Sequence, residues 1–164
     1  MGKVIDARTF WGLLGMRAVG AAVVTAQGSS GRAGFLALSA THVTANPPTM
    51  LVSIGIKTSA LSAVTESGSF AINYLGNERE DLAKRFGGQD GTKGEDRFKF
   101  DEWTVLSTGS PVLIGAVGSI DCRVEETIER HETLIVIGRI VDWVESRQMS
   151  PLINFRGRYL SLGG

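Results

Sequence analysis

The sequence predicts one mostly β domain with short helices, arranged as an antiparallel barrel. Its 164 residues suit a single domain, and 43% of them are hydrophobic, which is enough for a sizeable buried core. At least six segments have the composition or alternation of β-strands. The few helical segments do not alternate regularly with these strands, as they would in a doubly wound α/β sheet. We therefore expect one domain over residues 1–164.

The predicted strands are bounded by glycine, proline and polar turns. Apolar and charged residues alternate along residues 120–125, which is typical of a half-buried strand. Residues 34–43 are predicted to form one strand that stops at Asn46-Pro47-Pro48, because proline cannot donate to a sheet ladder. Residues 87–101, rich in glycine and charge, are predicted to be a loop that forms a lid or the rim of a ligand site. The other predicted strands cover residues 21–26, 50–56, 70–75, 134–144 and 156–160.

Short helices are predicted over residues 7–17, 58–66 and 78–86. Asp6 can act as the N-cap of the first helix. In the third helix, Leu82 and Phe86 have the i, i+4 spacing of a core-facing pair. Its charged residues are predicted to pair on the exposed side, as Glu80–Lys84 and Asp81–Arg85.

Composition excludes several classes of partner. Seventeen basic residues balance seventeen acidic ones, and no Lys/Arg cluster stands out, so we expect no nucleic-acid partner. The longest apolar runs are far too short to span a membrane. Cys122 is the one cysteine, so an intramolecular disulfide is impossible and a reducing compartment fits. These features predict a cytoplasmic protein that does not associate with membranes.

Motifs for several common chemistries are missing. The sequence contains no phosphate-binding glycine fingerprint, no nucleophile elbow and no spacing of cysteine and histidine typical of a metal site. Cys122 lies on the apolar side of its strand and is predicted to be a core residue. His42 and His131 can exchange protons near neutrality, but a lone histidine near a strand end is more simply explained as a solvated surface residue. The hydroxyl-rich run 39–44 fits either a strand against a planar polar ligand or an ordinary edge strand.

Several motifs in order resemble the flavin reductase family, which has the FMN-binding split β-barrel fold. Each motif alone is weak, but their order and spacing cover the chain from about residue 10 to residue 162. The matching segments are Gly20-Ala21-Ala22-Val23-Val24-Thr25, the run 34–48, Lys57-Thr58-Ser59, Phe70-Ala71-Ile72-Asn73-Tyr74-Leu75, Leu82-Ala83-Lys84-Arg85-Phe86, Gly109-Ser110-Pro111-Val112-Leu113 and, at the end, Pro151-Leu152 with Arg156-Gly157-Arg158-Tyr159.

The resemblance implies a homodimer that binds FMN or FAD near the interface and reduces it with NADH or NADPH. Reduced flavin would then pass to a separate oxygenase component. Backbone groups around residues 36–39 would contact the flat ring, while hydroxyls and cations between Ser53 and Ser59 would hold the ribityl chain and the phosphate. The implied cofactor-binding residues are Leu36, Ala37, Leu38, Ser39, Ala40, Thr44, Ser53, Ile54, Lys57, Ser59, Arg85 and Phe86.

The chain also departs from the family pattern. Leu36, Leu38 and Ala40 replace residues that commonly carry hydroxyl, amide or aromatic groups, which leaves ring recognition to the backbone. The family's Asp-His pair near the nicotinamide has no direct copy, and His131 lies two residues before the matching position. Because residues two apart share a face of an extended chain, His131 is the implied catalytic residue. Two alternatives are an FMN-dependent enzyme acting on another substrate and a flavin- or haem-binding protein without turnover.

Overall fold

The structure, a computed structural model, describes residues 2–162 and is dominated by antiparallel strands. Strands form the largest class of regular structure and the helices are short, as predicted. In chain order the elements are α1 (Ala7–Leu14), β1 (Val19–Gly20), β2 (Ala22–Gly28), β3 (Gly31–Ala37), β4 (Thr41–Ala45), β5 (Pro48–Gly55), α2 (Ala60–Ser67), β6 (Ser69–Tyr74), α3 (Glu80–Phe86), a 3₁₀ helix (Gly94–Phe98), β7 (Trp103–Val105), β8 (Pro111–Leu113), β9 (Gly118–Arg130), β10 (Thr133–Glu145), β11 (Leu152–Phe155) and β12 (Arg158–Ser161).

Seven of the strands form one antiparallel sheet in the spatial order β3-β2-β6-β9-β10-β5-β4. The sheet curls around a single core cluster, because β2, β3, β5, β6, β9 and β10 all contribute side chains to it. The chain passes directly from β3 to β4 through residues 38–40, so the two edge strands are consecutive in sequence. The predicted antiparallel barrel is therefore confirmed. The innermost side chains include Val24, Val52, Ile54, Phe70, Ile72, Cys122 and Val136.

Helix α2 packs against one end of the barrel and buries Ala60, Ala63 and Val64. Its neighbour β2 ends at Gly28, where an added Cβ would lie 2.9 Å from the Cα of Ala63, so glycine is needed for this close packing. Helix α1 is different. The Asp6 carboxylate accepts a hydrogen bond from the Thr9 amide at 2.8 Å, as expected of an N-cap, yet no residue of α1 is buried.

A second core lies on the outer face of β2, β3 and β6. Phe86 of α3 meets Phe98 edge to face at 5.2 Å between ring centroids, and Trp103 packs against both rings. Phe98 is 1% exposed and belongs to the 3₁₀ helix inside residues 87–101. Part of the segment predicted as loop is thus a 3₁₀ helix, and this aromatic side chain fastens the segment to the outer core. Its predicted role as a lid or rim of a ligand site stays a prediction.

Three element boundaries also differ from the sequence prediction. The predicted strand 34–43 is broken at residues 38–40 into β3 and β4. The Pro-Pro stop is the turn of the β4–β5 hairpin, with a cis Asn46-Pro47 bond, and Pro48 already pairs with Ala45. The predicted last strand is a hairpin, β11–β12, turning at Arg156-Gly157, both with positive φ. Strands β7 and β8 went unpredicted because three residues carry almost no periodic signal.

Buried polar side chains attach the segment before β8 to the barrel. Asn73 of β6 donates from Nδ2 to the Val23 carbonyl oxygen at 3.2 Å and accepts at Oδ1 from the Leu113 amide at 2.9 Å and the Ser119 hydroxyl at 2.8 Å. Asp121 accepts from both the amide and the hydroxyl of Thr108. Burial raises the pKa of Asp121, and the Thr108 hydrogen bonds only partly oppose the increase. The Asn in the Phe70–Leu75 motif is thus a structural residue.

Cys122 is fully buried, and desolvation raises the pKa of its thiol to about 12. A thiol with this pKa is almost entirely protonated at neutral pH, so Cys122 is a core residue, as predicted.

Candidate functional site

The barrel has a gap where the chain crosses from β3 to β4 beside the last residues of β5. Strand β4 pairs with β5 over Pro48–Leu51, whereas β5 continues to Gly55 on its β10 side. The Ser39 side chain bridges the start of the gap, because its hydroxyl donates to the Ser53 carbonyl oxygen and accepts from the Ser53 amide, both at 3.3 Å. We call this region the seam and define it as residues 38–40, Ser53, the turn 56–59 and the turn 131–132.

Free backbone donors line one wall of the seam. Within residues 2–162, the amides of Leu38, Ser39 and Ala40 donate no backbone hydrogen bond, because the chain leaves β3 at Ala37 and joins β4 at Thr41. All three residues are partly exposed, so their amides are not sealed inside the protein. Backbone donors without protein partners suit a ligand that presents acceptor atoms along one edge.

A cation and a hydroxyl lie at the other end of the seam. The Thr58 amide donates to the Gly55 carbonyl oxygen at 2.9 Å, which closes a tight turn after β5 and leaves Lys57 exposed. Lys57 forms no ion pair with a carboxylate of residues 2–162. Ser59 is the N-cap of α2, but its side chain makes no capping hydrogen bond. This arrangement fits a phosphate, which needs cations and donors near a helix N-terminus.

The β9–β10 hairpin turn lies beside the turn that carries Lys57. The Ile56 amide donates to the Glu132 carbonyl oxygen at 3.0 Å, which joins this turn to the turn that carries Lys57. His131 is exposed at the tip, with a φ of 50°. The structure therefore brings residues 131–132 and 56–58 together although about 75 residues separate them, roughly the length of a small domain. The second histidine, His42, is exposed on β4 next to an irregular pairing with β5.

Two of the predicted binding residues belong to the outer core. Phe86 is 2% exposed and packs in the aromatic cluster. Arg85 is also buried, and its guanidinium contacts the Asp101 carboxylate at 2.6 Å and the Asp81 carboxylate at 3.3 Å. The predicted pair of Arg85 with Asp81 forms, but Arg85 is buried, whereas the sequence predicted the pair on an exposed face. Because the charge of Arg85 is already neutralised, we leave both residues out of the proposed site.

Other predicted residues contribute at most backbone atoms. The side chains of Ala37 and Ile54 are buried in the barrel core, and Leu36 packs against the outer core. Thr44 lies at the far end of β4, where its hydroxyl accepts from the Asn46 amide at 3.3 Å in the proline turn. The seam therefore unites Leu38, Ser39, Ala40, Ser53, Lys57, Ser59 and His131, and Thr44 is left out with the two outer-core residues.

A small cleft continues from Ser59 along α2 and was not foreseen from the sequence. It has a volume of about 160 Å³ and lies between α2, the β2–β3 turn and the 3₁₀ helix. Arg32 and Glu95 form an ion pair in its wall, with Nε and Oε1 2.5 Å apart. The two residues are 63 positions apart, so no local pattern could have revealed this contact.

The chemistry of the seam is consistent with a flavin mononucleotide or a related flavin. The free amides suit the heteroatom edge of a flat, neutral ring, and Lys57 with Ser59 suits a phosphate at the other end. No cluster of three or more potential metal ligands occurs in residues 2–162. None of the helices there is long and apolar enough to cross a membrane. Fold and seam together define a split-barrel protein of the flavin-binding class.

Comparison with known proteins identifies the family. The model for the flavin reductase like domain matches residues 15–163, so the chain belongs to this family, and the resemblance seen in the motifs is confirmed. The chain is 38% identical over 151 residues to "FMN reductase (NADH) RutF" of Ancylobacter novellus, covering 91% of this chain and 82% of that protein. It is 29% identical over 160 residues to the "Flavin-dependent monooxygenase, reductase subunit HsaB" of Rhodococcus jostii, covering 98% and 80% of the two chains.

A solved structure agrees with these relatives. The flavin reductase PheA2 superimposes with a TM-score of 0.87 and 28% identity, covering 98% of this chain and 100% of that chain. The similarity extends over the whole barrel, which confirms the predicted split-barrel fold.

Proposed function

We propose that this protein is an NADH:flavin oxidoreductase that supplies reduced flavin to a separate monooxygenase. One observation carries the proposal: the seam combines free backbone amides, which suit the flavin ring, with an uncompensated cation and hydroxyl, which suit its phosphate. Family membership and the names of the relatives support the same activity. An NADH-dependent reductase works where reduced nicotinamide is abundant, and the single cysteine is compatible with a reducing environment, so we place the protein in the cytoplasm.

Each part of the seam has a separate task in this reaction. The amides of residues 38–40 orient the ring, and Lys57 with Ser59 holds the phosphate. His131, on the neighbouring turn, positions the nicotinamide against the ring. A bound flavin supplies the redox chemistry by accepting a hydride from the nicotinamide. The protein supplies binding and orientation, which together make the transfer effectively unimolecular.

A cuvette assay tests the activity directly. Purified protein is mixed with NADH or NADPH, with and without FMN or FAD, and loss of nicotinamide absorbance is followed. We expect NADH oxidation that depends on added flavin. Flavin binding without any nicotinamide oxidation would instead indicate a carrier, and binding of neither flavin nor nicotinamide would refute the proposal.

The change His131→Ala is expected to lower kcat/KM for NADH about tenfold or more while the Kd for flavin changes less than twofold. The reason is that His131 lies on the turn that the Ile56–Glu132 hydrogen bond joins to the Lys57 turn, and its side chain is not among the groups proposed to hold the flavin. Steady-state kinetics measures kcat/KM for NADH, and flavin titration measures the Kd for flavin. His42→Ala is the comparison variant, because His42 is the other histidine that can exchange a proton, and a loss of NADH turnover there instead would give the role to His42. Equal kinetics for His131→Ala and the native protein would remove His131 from the mechanism.

We also propose that the protein is a homodimer. Helix α1 buries no side chain, and Trp11 is 64% exposed with Phe10, Leu13 and Leu14 beside it. All five residues of β4 are exposed as well, including the apolar Val43. Monomeric proteins rarely leave a cluster of large apolar side chains like that of α1 in water, so a second copy that covers it is the simplest explanation.

Light scattering after size exclusion is expected to give twice the mass of the chain. Trp11→Asp is expected to shift the population toward monomer, because a buried carboxylate would be uncompensated in the interface. Val105→Asp is the matched control, because Val105 is an exposed residue of β7, and it is expected to leave the mass unchanged. A monomeric native protein at micromolar concentration would contradict the proposal.

A further inference from the structure

The cleft beyond Ser59 determines which chemical groups a flavin can carry beyond its first phosphate. Ser59, Ser62 and Glu66 lie along one face of α2 and line the cleft from its N-terminal end onward. A ligand whose phosphate contacts Lys57 and Ser59, and which continues along α2, therefore enters this cleft. The inference drawn here rests on the proposed function, because it uses the same phosphate position.

The charged side chains that line the cleft disfavour the entry of an anion. The Glu95 carboxylate binds Arg32 twice, through Nε at 2.5 Å and through the Arg32 amide at 2.7 Å. The guanidinium also lies over the Phe98 ring at 4.9 Å, which fixes its position. Arg32 is therefore held away from any phosphate by a neighbour of opposite charge.

A second carboxylate lines the same cleft. Glu66 accepts hydrogen bonds from the Ser29 amide at 3.0 Å and from its hydroxyl at 2.8 Å, so it is anchored to the β2–β3 turn. These hydrogen bonds lower the pKa of Glu66 and keep it ionised. Two fixed carboxylates and a neutralised arginine make this short passage unfavourable for a second phosphate.

We propose that Glu95 and Glu66 make the protein selective for FMN over FAD. FMN ends at the phosphate on Lys57 and Ser59, whereas FAD adds a second phosphate and an adenosine. A cleft of about 160 Å³ is too small for an adenosine, and its carboxylates repel the added phosphate. Glu95 is the main determinant, because its replacement by a neutral residue removes one negative charge from the cleft and leaves Arg32 without its partner.

Calorimetric titration without nicotinamide tests the selectivity as binding. The native protein is expected to bind FMN at least tenfold more tightly than FAD. Glu95→Gln keeps the side-chain shape, removes the charge and frees Arg32, so it is expected to tighten FAD binding about tenfold with little change for FMN. Adding Glu66→Gln is expected to reduce the FMN-to-FAD preference further.

The control is Asp96→Asn, which removes a carboxylate beside Glu95 that is paired with Lys99 on the exposed surface. It is expected to leave both affinities unchanged, and thermal melts establish that all variants are folded. Equal affinity of the native protein for FMN and FAD would overturn the inference, as would an unchanged FMN-to-FAD ratio in the doubly substituted protein. A native protein that binds neither flavin refutes the proposed function and the inference together, whereas equal binding of both refutes the inference alone.

Discussion

The double change Lys57→Ala/Ser59→Ala is expected to weaken FMN binding by roughly two orders of magnitude. Each residue is proposed to donate a charge-assisted hydrogen bond to the phosphate, and such bonds contribute about 1.5–3 kcal/mol each. Losing both costs about 3 kcal/mol or more, and every 1.4 kcal/mol is about a tenfold change in Kd. Riboflavin has no phosphate, so its affinity is expected to stay nearly constant. Titration of both compounds measures the phosphate contribution separately from that of the ring.

A matched control is Lys84→Ala/Ser161→Ala, which removes the same two groups from exposed positions outside the seam. Lys84 pairs with Glu80 on the exposed side of α3, so this variant is expected to lose little stability and no FMN affinity. If Lys57→Ala/Ser59→Ala binds FMN like the native protein, the phosphate lies elsewhere. If FMN and riboflavin weaken equally, the change has disturbed the seam as a whole.

The sequence was informative where local geometry decides the structure. Lys57 and Ser59 lie in a turn between a strand and a helix, and such turns leave a sequence signal that needs no tertiary contact. The break at residues 38–40 left no such signal, because Leu38 and Ala40 read like any strand residues. Strands β3 and β4 are separate because the barrel closes at this point, and its closure depends on strands far along the chain.

Predictions from the sequence failed where burial decides the role of a charged residue. Arg85 has the i+4 spacing of a surface pair with Asp81, and its motif resembles one that contacts flavin. The structure instead buries it against Asp101, which comes from a segment predicted as loop. Likewise the Arg32–Glu95 contact spans 63 residues, and a single sequence contains no evidence of such pairs. Long-range ion pairs are set by the packing of elements, not by periodicity within one element.

The largest loss of stability is expected from Asp101→Ala, at about 3–5 kcal/mol. The Asp101 side chain is only 9% exposed and accepts from two guanidinium groups, those of Arg79 and Arg85. The Arg85 side chain is 10% exposed, so removal of the Asp101 carboxylate leaves a buried cation with two more distant and more exposed partners, Asp81 and Asp90. Urea unfolding followed by circular dichroism gives the free energy of unfolding, with an unchanged m value as the check on two-state behaviour.

Asp96→Ala serves as the control, because its ion pair with Lys99 is 62% exposed on both sides and such pairs contribute at most about 1 kcal/mol. A second variant, Asp101→Asn, keeps the size of the side chain and one acceptor oxygen, so it is expected to lose less than Asp101→Ala. We expect stability to fall in the order native, Asp96→Ala, Asp101→Asn, Asp101→Ala. The Asp96 pair is exposed to water, whereas both changes at Asp101 leave buried guanidinium charge uncompensated, and Asp101→Asn still offers one acceptor oxygen. A loss for Asp101→Ala no larger than that for Asp96→Ala would mean that water reaches both arginines, and the cluster would then not fasten α3 to the 3₁₀ segment.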